Sequence, residues 1–107
     1  MATGPETQLK EKVLKALRAR GAFAEKIHGG MYQRAGIPDI LLCYRGRFVA
    51  IELKAPNAKL EPSPEQARCI KEIDDAGGKT LVANSILQCT ALLDEIDYEL
   101  QQSLGGS

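Results

Sequence analysis

Two apolar runs separated by one short turn constrain this chain more than any other feature. The runs are Ile40–Tyr44 and Phe48–Leu53, and both are rich in the branched and aromatic side chains that favour β-strands. Arg45-Gly46 lies between them and is the evident turn. If these two residues form the whole loop of a tight hairpin, positions equally distant from the loop face each other across the strands. The turn therefore predicts the register of the hairpin.

That register places two carboxylates opposite each other. Asp39 lies six residues before Arg45, and Glu52 lies six residues after Gly46. Directly opposed side chains are roughly 5 Å apart, where like charges repel unless a cation lies between them. Hard divalent cations prefer carboxylate oxygens. Lys54 shares the face of Glu52 because strand side chains alternate, so the hairpin predicts two acids and a lysine at a site suited to attack on a phosphate.

Taken alone, these residues also allow structural roles. Asp39 follows Pro38, and aspartate is common as a cap in turns. Glu52 and Lys54 can form an ion pair on an exposed strand, a contact that contributes little stability. At this point both interpretations stay open.

The rest of the chain predicts an α-β-β-β-α-β-α order. Proline at a first helical position, glycine stops and two Ser-x-x-Gln capping boxes mark the helix ends. We predict helices at 5–20, after Ser63 with Ala67, Ile70 and Ile73 as its buried stripe, and after Ser85, with further strands at 22–27 and 80–83. Tight turns between strands favour antiparallel pairs, and the β-α-β step favours a parallel one. The expected product is a single α/β domain over residues 1–104, with a mixed sheet flanked by helices and a loose tail at 105–107.

Composition narrows the class of protein. The 107 residues are 44% hydrophobic and 26% charged, which suits a packed domain. No apolar stretch approaches a membrane span, and no signal peptide is evident, so we expect a protein without membrane association in a bacterial or viral-host cytoplasm. Three widely spaced cysteines and one histidine make no zinc set. The cysteines are expected to be reduced and buried.

Charge is unevenly distributed although its sum is zero. Residues 10–34 contain seven Lys or Arg residues and two Glu residues, whereas residues 84–107 contain four acids and no Lys or Arg. This split predicts one basic and one acidic face, and a solvated helix surface is the alternative.

The spacing of these pieces resembles the virus-type replication-repair nuclease (VRR-NUC) domain of the PD-(D/E)XK superfamily. The resemblance covers nearly the whole chain and rests on Glu6 in the first helix, KIHGGMYQRAGIPD at 26–39, IELK at 51–54 and SPEQ at 63–66. It implies a restriction-endonuclease-like αβββαβ core followed by a C-terminal helix.

The resemblance also implies roles for individual residues. Asp39, Glu52 and the backbone carbonyl of Leu53 would hold Mg²⁺ or Mn²⁺, and Glu6 would complete the metal site directly or through water. Lys54 would orient the attacking water or neutralise the phosphate.

Gln66 has two possible roles. The resemblance implies that it assists at the phosphate or positions Lys54. It is also the third helical residue of a capping box, which is a purely structural use.

The implied activity is a metal-dependent, structure-selective DNA endonuclease that acts on branched DNA, like a Holliday junction resolvase. Lys10, Lys26, His28 and Arg34 are the expected DNA contacts. The two symmetric cuts of a four-way junction suggest a homodimer, with the apolar side of the last helix and the loop at residues 31–32 as candidate contact surfaces. A non-catalytic DNA-binding module with the same fold and a partner-binding αβ domain are the alternatives.

Overall fold

The helices and strands follow the predicted order. The computed structural model describes residues 4–31 and 33–105. Its elements are α1 (Pro5–Ala19), β1 (Phe23–Lys26), β2 (Ile40–Tyr44), β3 (Arg47–Leu53), α2 (Pro64–Asp75), β4 (Lys79–Ala83) and α3 (Ile86–Gly105). One sheet has the order β1-β2-β3-β4, with β1–β2 and β2–β3 antiparallel and β3–β4 parallel. The predicted fold class, a mixed sheet flanked by helices, is therefore confirmed.

The hairpin between β2 and β3 has the predicted register. Tyr44 pairs with Arg47, and Ile40 pairs with Ile51. Both loop residues have positive φ angles, 49° at position 45 and 83° at position 46. This conformation belongs to the two-residue turn whose twist matches that of paired strands, and glycine adopts it without strain. One step beyond the last pair, the chain brings residues 39 and 52 to the same end of the sheet.

The hydrophobic core lies between one face of the sheet and helices α1 and α3. Inward residues of the central strands, such as Val49 and Ile51, are fully buried. Helix α1 contributes Leu9, Val13, Leu14 and Leu17, and helix α3 contributes Cys89, Leu92, Leu93 and Ile96. The apolar side of α3 is thus used inside the domain, so it is not available as the contact surface between subunits that we expected from the sequence. No helix of the described residues is long and apolar enough to cross a bilayer.

Helix α2 lies on the opposite face and is less buried than its sequence predicts. Ala67 is exposed and Ile70 and Ile73 are half-buried, whereas Cys69 is the buried residue of this helix. The helix packs mainly against β4 at the edge of the sheet. A groove of about 670 Å³ separates α2 from the hairpin. The predicted apolar stripe of α2 therefore has little sheet surface to pack against.

An apolar row remains uncovered on this face. Phe23 pairs with Cys43, which pairs with Phe48, so the three side chains point to the same side of neighbouring strands. Phe23 is 70% exposed and Phe48 is 45% exposed. We call these three residues the open-face row. The exposure of Cys43 corrects the expectation that all cysteines are buried; Cys69 and Cys89 are buried, and all three are free thiols.

The acids of α3 form ion pairs within the domain. The Asp97 carboxylate accepts hydrogen bonds from the Tyr44 hydroxyl at 2.9 Å, from Arg45 at 2.9 Å and from Arg20 at 3.2 Å. Arg45 and then Tyr44 lower the pKa of Asp97 through these bonds. Two further acids are paired, Asp94 with Arg20 and Glu99 with Lys79. The predicted acidic face is therefore largely neutralised by Arg20 just after α1, by Arg45 in the hairpin turn and by Lys79 on β4.

The last helix is longer than its apolar pattern suggests. Ser85 and Gln88 form the second capping box, since the Gln88 amide donates to the Ser85 hydroxyl and the Gln88 side chain accepts from the Ser85 amide. The helix continues through Gly105, so residue 105 is helical although the sequence predicts that the loose tail begins there. Residues 106–107 lie outside the described residues.

Candidate metal and nucleic-acid site

Asp39 is held at the end of the hairpin by backbone contacts. Its carbonyl oxygen accepts a hydrogen bond from the Ile27 amide at 2.8 Å, which extends the β1–β2 ladder by one bond. Its carboxylate oxygen Oδ2 accepts a hydrogen bond from the Leu53 amide at 2.8 Å. The side chain therefore reaches across to β3 beside Glu52. A strand residue presents its amide and carbonyl to the same neighbour, so the Leu53 carbonyl also faces the side of Asp39.

Glu52 is the one buried charged residue among the described residues, at 5% exposure. Burial, followed by the negative charge of Asp39 and a hydrogen bond with it, raises the pKa of Glu52 to about 7. Lys54 acts in the opposite direction, and Glu6 contributes a smaller increase. The two carboxyl groups thus lie close enough to disfavour simultaneous ionisation, which is the electrostatic situation that the predicted register implies.

Gln66 connects the lysine to the buried acid. Its oxygen Oε1 accepts a hydrogen bond from Lys54 Nζ at 2.9 Å, and its nitrogen Nε2 donates to Glu52 Oε2 at 2.9 Å. Lys54 Nζ itself lies 3.8 Å from Glu52 Oε2. The amide fixes both charged groups at once, because one end of it accepts and the other end donates.

Gln66 also caps helix α2. The Ser63 amide donates to Gln66 Oε1 at 2.8 Å, and the Gln66 amide donates to the Ser63 hydroxyl at 3.2 Å. Sequence reasoning treats helix capping and contact with the lysine as alternatives, whereas in the structure one side chain does both. The start of α2 is therefore tied to the acids on β3.

Helix α1 places two charged side chains near Asp39 and Glu52. Lys10 Nζ lies 3.4 Å from Asp39 Oδ1. Glu6, one turn earlier on the same face, is exposed, and its charge reaches Glu52 without a direct contact. Sequence reasoning assigns Lys10 to DNA and misses its contact with Asp39, although the four-residue spacing from Glu6 places both on the side of α1 that faces the site.

The other predicted DNA contacts lie around the site. Lys26 pairs with Glu11 at 2.7 Å, and Arg34 forms a two-bond ion pair with Glu72 on α2. His28 is exposed in the loop that follows β1. Lys26 and Arg34 already have carboxylate partners. Each can therefore contact a phosphate only by exchanging or sharing its partner.

The glycine-rich loop between β1 and β2 forms a second groove beside Asp39. The groove has a volume of about 390 Å³, and its walls include Gly29, Gly30 and Gly36. Gly36 has a φ of 89°, and a Cβ at this position would collide with the backbone of Glu65 at the start of α2. The loop is thereby packed against the helix that carries Gln66, a contact that no sequence pattern indicated.

The donor set fits a hard divalent cation. Two carboxylates and a backbone carbonyl supply the oxygen ligands that Mg²⁺ and Mn²⁺ prefer. Glu52 is buried beside Asp39, and burial and the charge of Asp39 raise its pKa to about 7, so a bound cation would stabilise the ionised pair. Within residues 4–31 and 33–105, no group of three or more His, Cys, Asp or Glu side chains converges. Such an ion would therefore need water or Leu53 to complete its coordination.

Comparisons with known proteins agree on the fold. No protein-family model matches the chain, and no curated protein matches its sequence. Among solved structures, a VRR_NUC domain superposes with a TM-score of 0.72 at 24% identity, covering 86% of this chain and 97% of the other. Hjc from Archaeoglobus fulgidus, a Holliday junction resolvase, superposes with a TM-score of 0.58 at 20% identity, covering 74% of this chain and 67% of Hjc. The chain therefore has the fold of a VRR_NUC domain, as the sequence resemblance predicts.

Proposed function

We propose that this chain is a metal-dependent DNA endonuclease that hydrolyses phosphodiester bonds in branched DNA, such as junctions or flaps. The observation that carries the proposal is the convergence of Asp39, Glu52, Lys54 and Gln66 at one end of the sheet. The fold shared with a VRR_NUC domain and with a Holliday junction resolvase supports both the reaction class and the kind of substrate.

The metal would be held by Asp39, Glu52 and the Leu53 carbonyl, with Glu6 acting directly or through water. A divalent cation so bound lowers the pKa of water and stabilises negative charge on phosphoryl oxygens. In the hydrolysis the attacking water gives up a proton as its oxygen bonds to phosphorus, the bond from phosphorus to the leaving strand end breaks, and the leaving alkoxide takes up a proton. The residues around the ion position the reactants for this step.

Lys54 is the side chain best placed to act on the reactants. Gln66 accepts from its ammonium group at 2.9 Å, which fixes the long side chain and leaves further donors free. Those donors can orient the attacking water or contact a phosphoryl oxygen. Because Gln66 also donates to Glu52, the lysine and the carboxylate keep a fixed relative position before substrate arrives.

DNA would approach across α1 and the glycine-rich loop. The groove beside Asp39 is open, and glycines in its wall leave backbone amides accessible to phosphate oxygens. Lys10, Lys26, His28 and Arg34 surround this approach. We expect the affinity for DNA to fall steeply with salt, because phosphate contacts release counterions.

A homodimer fits a four-way junction, which has two symmetry-related cleavage points. We assign the contact to the open-face row, since Phe23 and Phe48 leave apolar surface exposed on the sheet. Met31, in the other surface suggested by the sequence, is 88% exposed, and Tyr32 lies outside the described residues.

Asp39→Asn tests the metal assignment directly. We expect cleavage to fall at least about a hundredfold, because a neutral amide oxygen binds a hard divalent cation more weakly than a carboxylate does. Binding to a labelled four-way junction without metal should remain largely intact by fluorescence anisotropy. Asp75→Asn, which alters an exposed acid paired with Lys71 on α2, is the matched control and should cut normally.

Assays on flaps, splayed arms and four-way junctions, with and without Mg²⁺ or Mn²⁺, test the rest of the proposal. Normal cutting by the Asp39 variant would refute the metal assignment. Tight binding of branched DNA by the unaltered chain, without cleavage under any divalent metal, would instead favour a non-catalytic DNA-binding module. Absence of DNA binding at low salt would remove the nucleic-acid role altogether.

A further inference from the structure

Both carboxylate oxygens of Asp39 already have positive or polar partners. The Leu53 amide donates to Oδ2 at 2.8 Å, and the Lys10 ammonium lies 3.4 Å from Oδ1. The side chains of Lys10 and Asp39 are only 22% and 20% exposed. Their ion pair is therefore partly shielded from water, and its attraction is stronger than that of a fully exposed pair.

Lys10 differs from the other lysines of α1. Lys12 and Lys15 are exposed, and neither makes an ion pair within the described part of the chain. Lys10 alone among them points into the candidate site, where its ammonium contacts a proposed metal ligand.

Asp39 and Glu52 each have a different lysine neighbour, and only one of the two lysines is anchored by a further hydrogen bond. Lys54 lies near Glu52 and is anchored by Gln66. Lys10 lies near Asp39 and has no second polar partner among residues 4–31 and 33–105. A cation that enters between the acids would therefore leave Lys54 tethered, whereas Lys10 can move away.

We propose that Lys10 is a built-in counter-ion that occupies Asp39 in the metal-free protein and is displaced when a divalent cation binds. This inference rests on the proposed function, because it requires Asp39 to be a metal ligand. An ammonium group and a metal ion compete for the same carboxylate oxygen and repel each other. Once displaced, Lys10 remains on α1 at the edge of the site, where a phosphate oxygen can replace the carboxylate as its partner.

Competition of this kind has a distinctive consequence for binding. Removal of the charge of Lys10 removes a competitor, so the DNA-free protein should bind metal more tightly. The same change removes a phosphate contact, so cleavage at saturating metal should become slower. A residue with a purely structural role would not improve metal affinity when it is lost.

The experiment is calorimetric titration of Mn²⁺ into the full metal-free chain, without DNA. We expect Lys10→Met to bind Mn²⁺ at least about threefold tighter than wild type, since its ion pair exceeds the strength of an exposed one. Lys10→Arg, which keeps the charge, and Lys12→Met, the exposed neighbour, should both retain the wild-type affinity. Cleavage of a four-way junction at saturating Mn²⁺ should be slower for Lys10→Met, and circular dichroism checks its fold.

The outcomes separate this inference from the proposed function. Unchanged or weaker Mn²⁺ binding by Lys10→Met, while Asp39→Asn loses binding, would overturn the role of Lys10 and leave the metal site standing. Failure of both wild type and Lys10→Met to bind Mn²⁺ would overturn the metal site and the inference together.

Discussion

At the residue scale, Glu52 makes the stability of the metal-free protein depend on pH. Its pKa is raised from 4.5 to about 7 by burial and by Asp39. Between these values the folded chain keeps a proton that the unfolded chain has lost, so the free energy of unfolding decreases as pH rises. The contribution of Glu52 to the free energy of unfolding is fully present below pH 4.5, and it is lost completely above about pH 7. The decrease should be at most about 3 kcal/mol.

Urea unfolding in chelator at several pH values measures this dependence. Glu52→Gln, which carries no titratable group there, should lack most of the decrease. Saturating Mn²⁺ should oppose the decrease in wild type, since a cation binds the ionised carboxylates. Parallel pH profiles for wild type and the Glu52 variant would show that the carboxyl keeps an ordinary pKa.

At the element scale, the contact between the glycine-rich loop and α2 determines where Gln66 lies. Gly36→Ala should lower the free energy of unfolding by more than about 2 kcal/mol, because the residue has a positive φ and its new methyl group meets the Glu65 backbone. Urea unfolding gives the value, and the site should lose activity as α2 shifts. Gly30→Ala in the same loop is the control, since its Cβ would meet nothing within 4 Å. Equal stability of the two variants would show that the loop accommodates the added methyl group without loss of packing.

At the scale of the whole molecule, the open-face row is the proposed contact between two copies, and a substitution in it tests the dimer. Phe23→Asp should convert a dimer to a monomer in sedimentation experiments, because a buried carboxylate would face apolar surface. Leu87→Asp is the control, since Leu87 is an exposed apolar residue of α3, at 76%, outside the row. A monomeric wild type at tens of micromolar would contradict the dimer, and a dimeric Phe23 variant would move the interface elsewhere.

Patterns made by residues close together in the chain account for most of the predictions that the structure confirms. The Arg45-Gly46 turn sets the register that brings Asp39 beside Glu52, and Ser63 marks the start of α2. Each of these depends on residues close together in the chain, where loop length and hydrogen-bond geometry leave few alternatives.

Packing between residues distant in the chain accounts for the predictions that the structure corrects. The stripe of α2 is partly exposed because the helix sits at the β4 edge, a position that its own periodicity cannot specify. The acids of α3 are neutralised by Arg20 and Arg45, which are remote in sequence. Periodicity reports which side of a helix is apolar, whereas the surface it meets depends on the rest of the fold.

The sequence by itself determined the order of elements, the hairpin register and hence the pairing of Asp39 with Glu52, because a two-residue turn leaves one way to align its strands. Only the tertiary structure decided that Lys10 contacts Asp39 and that Gln66 joins Lys54 to Glu52. Those contacts depend on how α1 and α2 dock on the sheet. Docking is settled by the packing of side chains from distant parts of the chain, which no local pattern encodes.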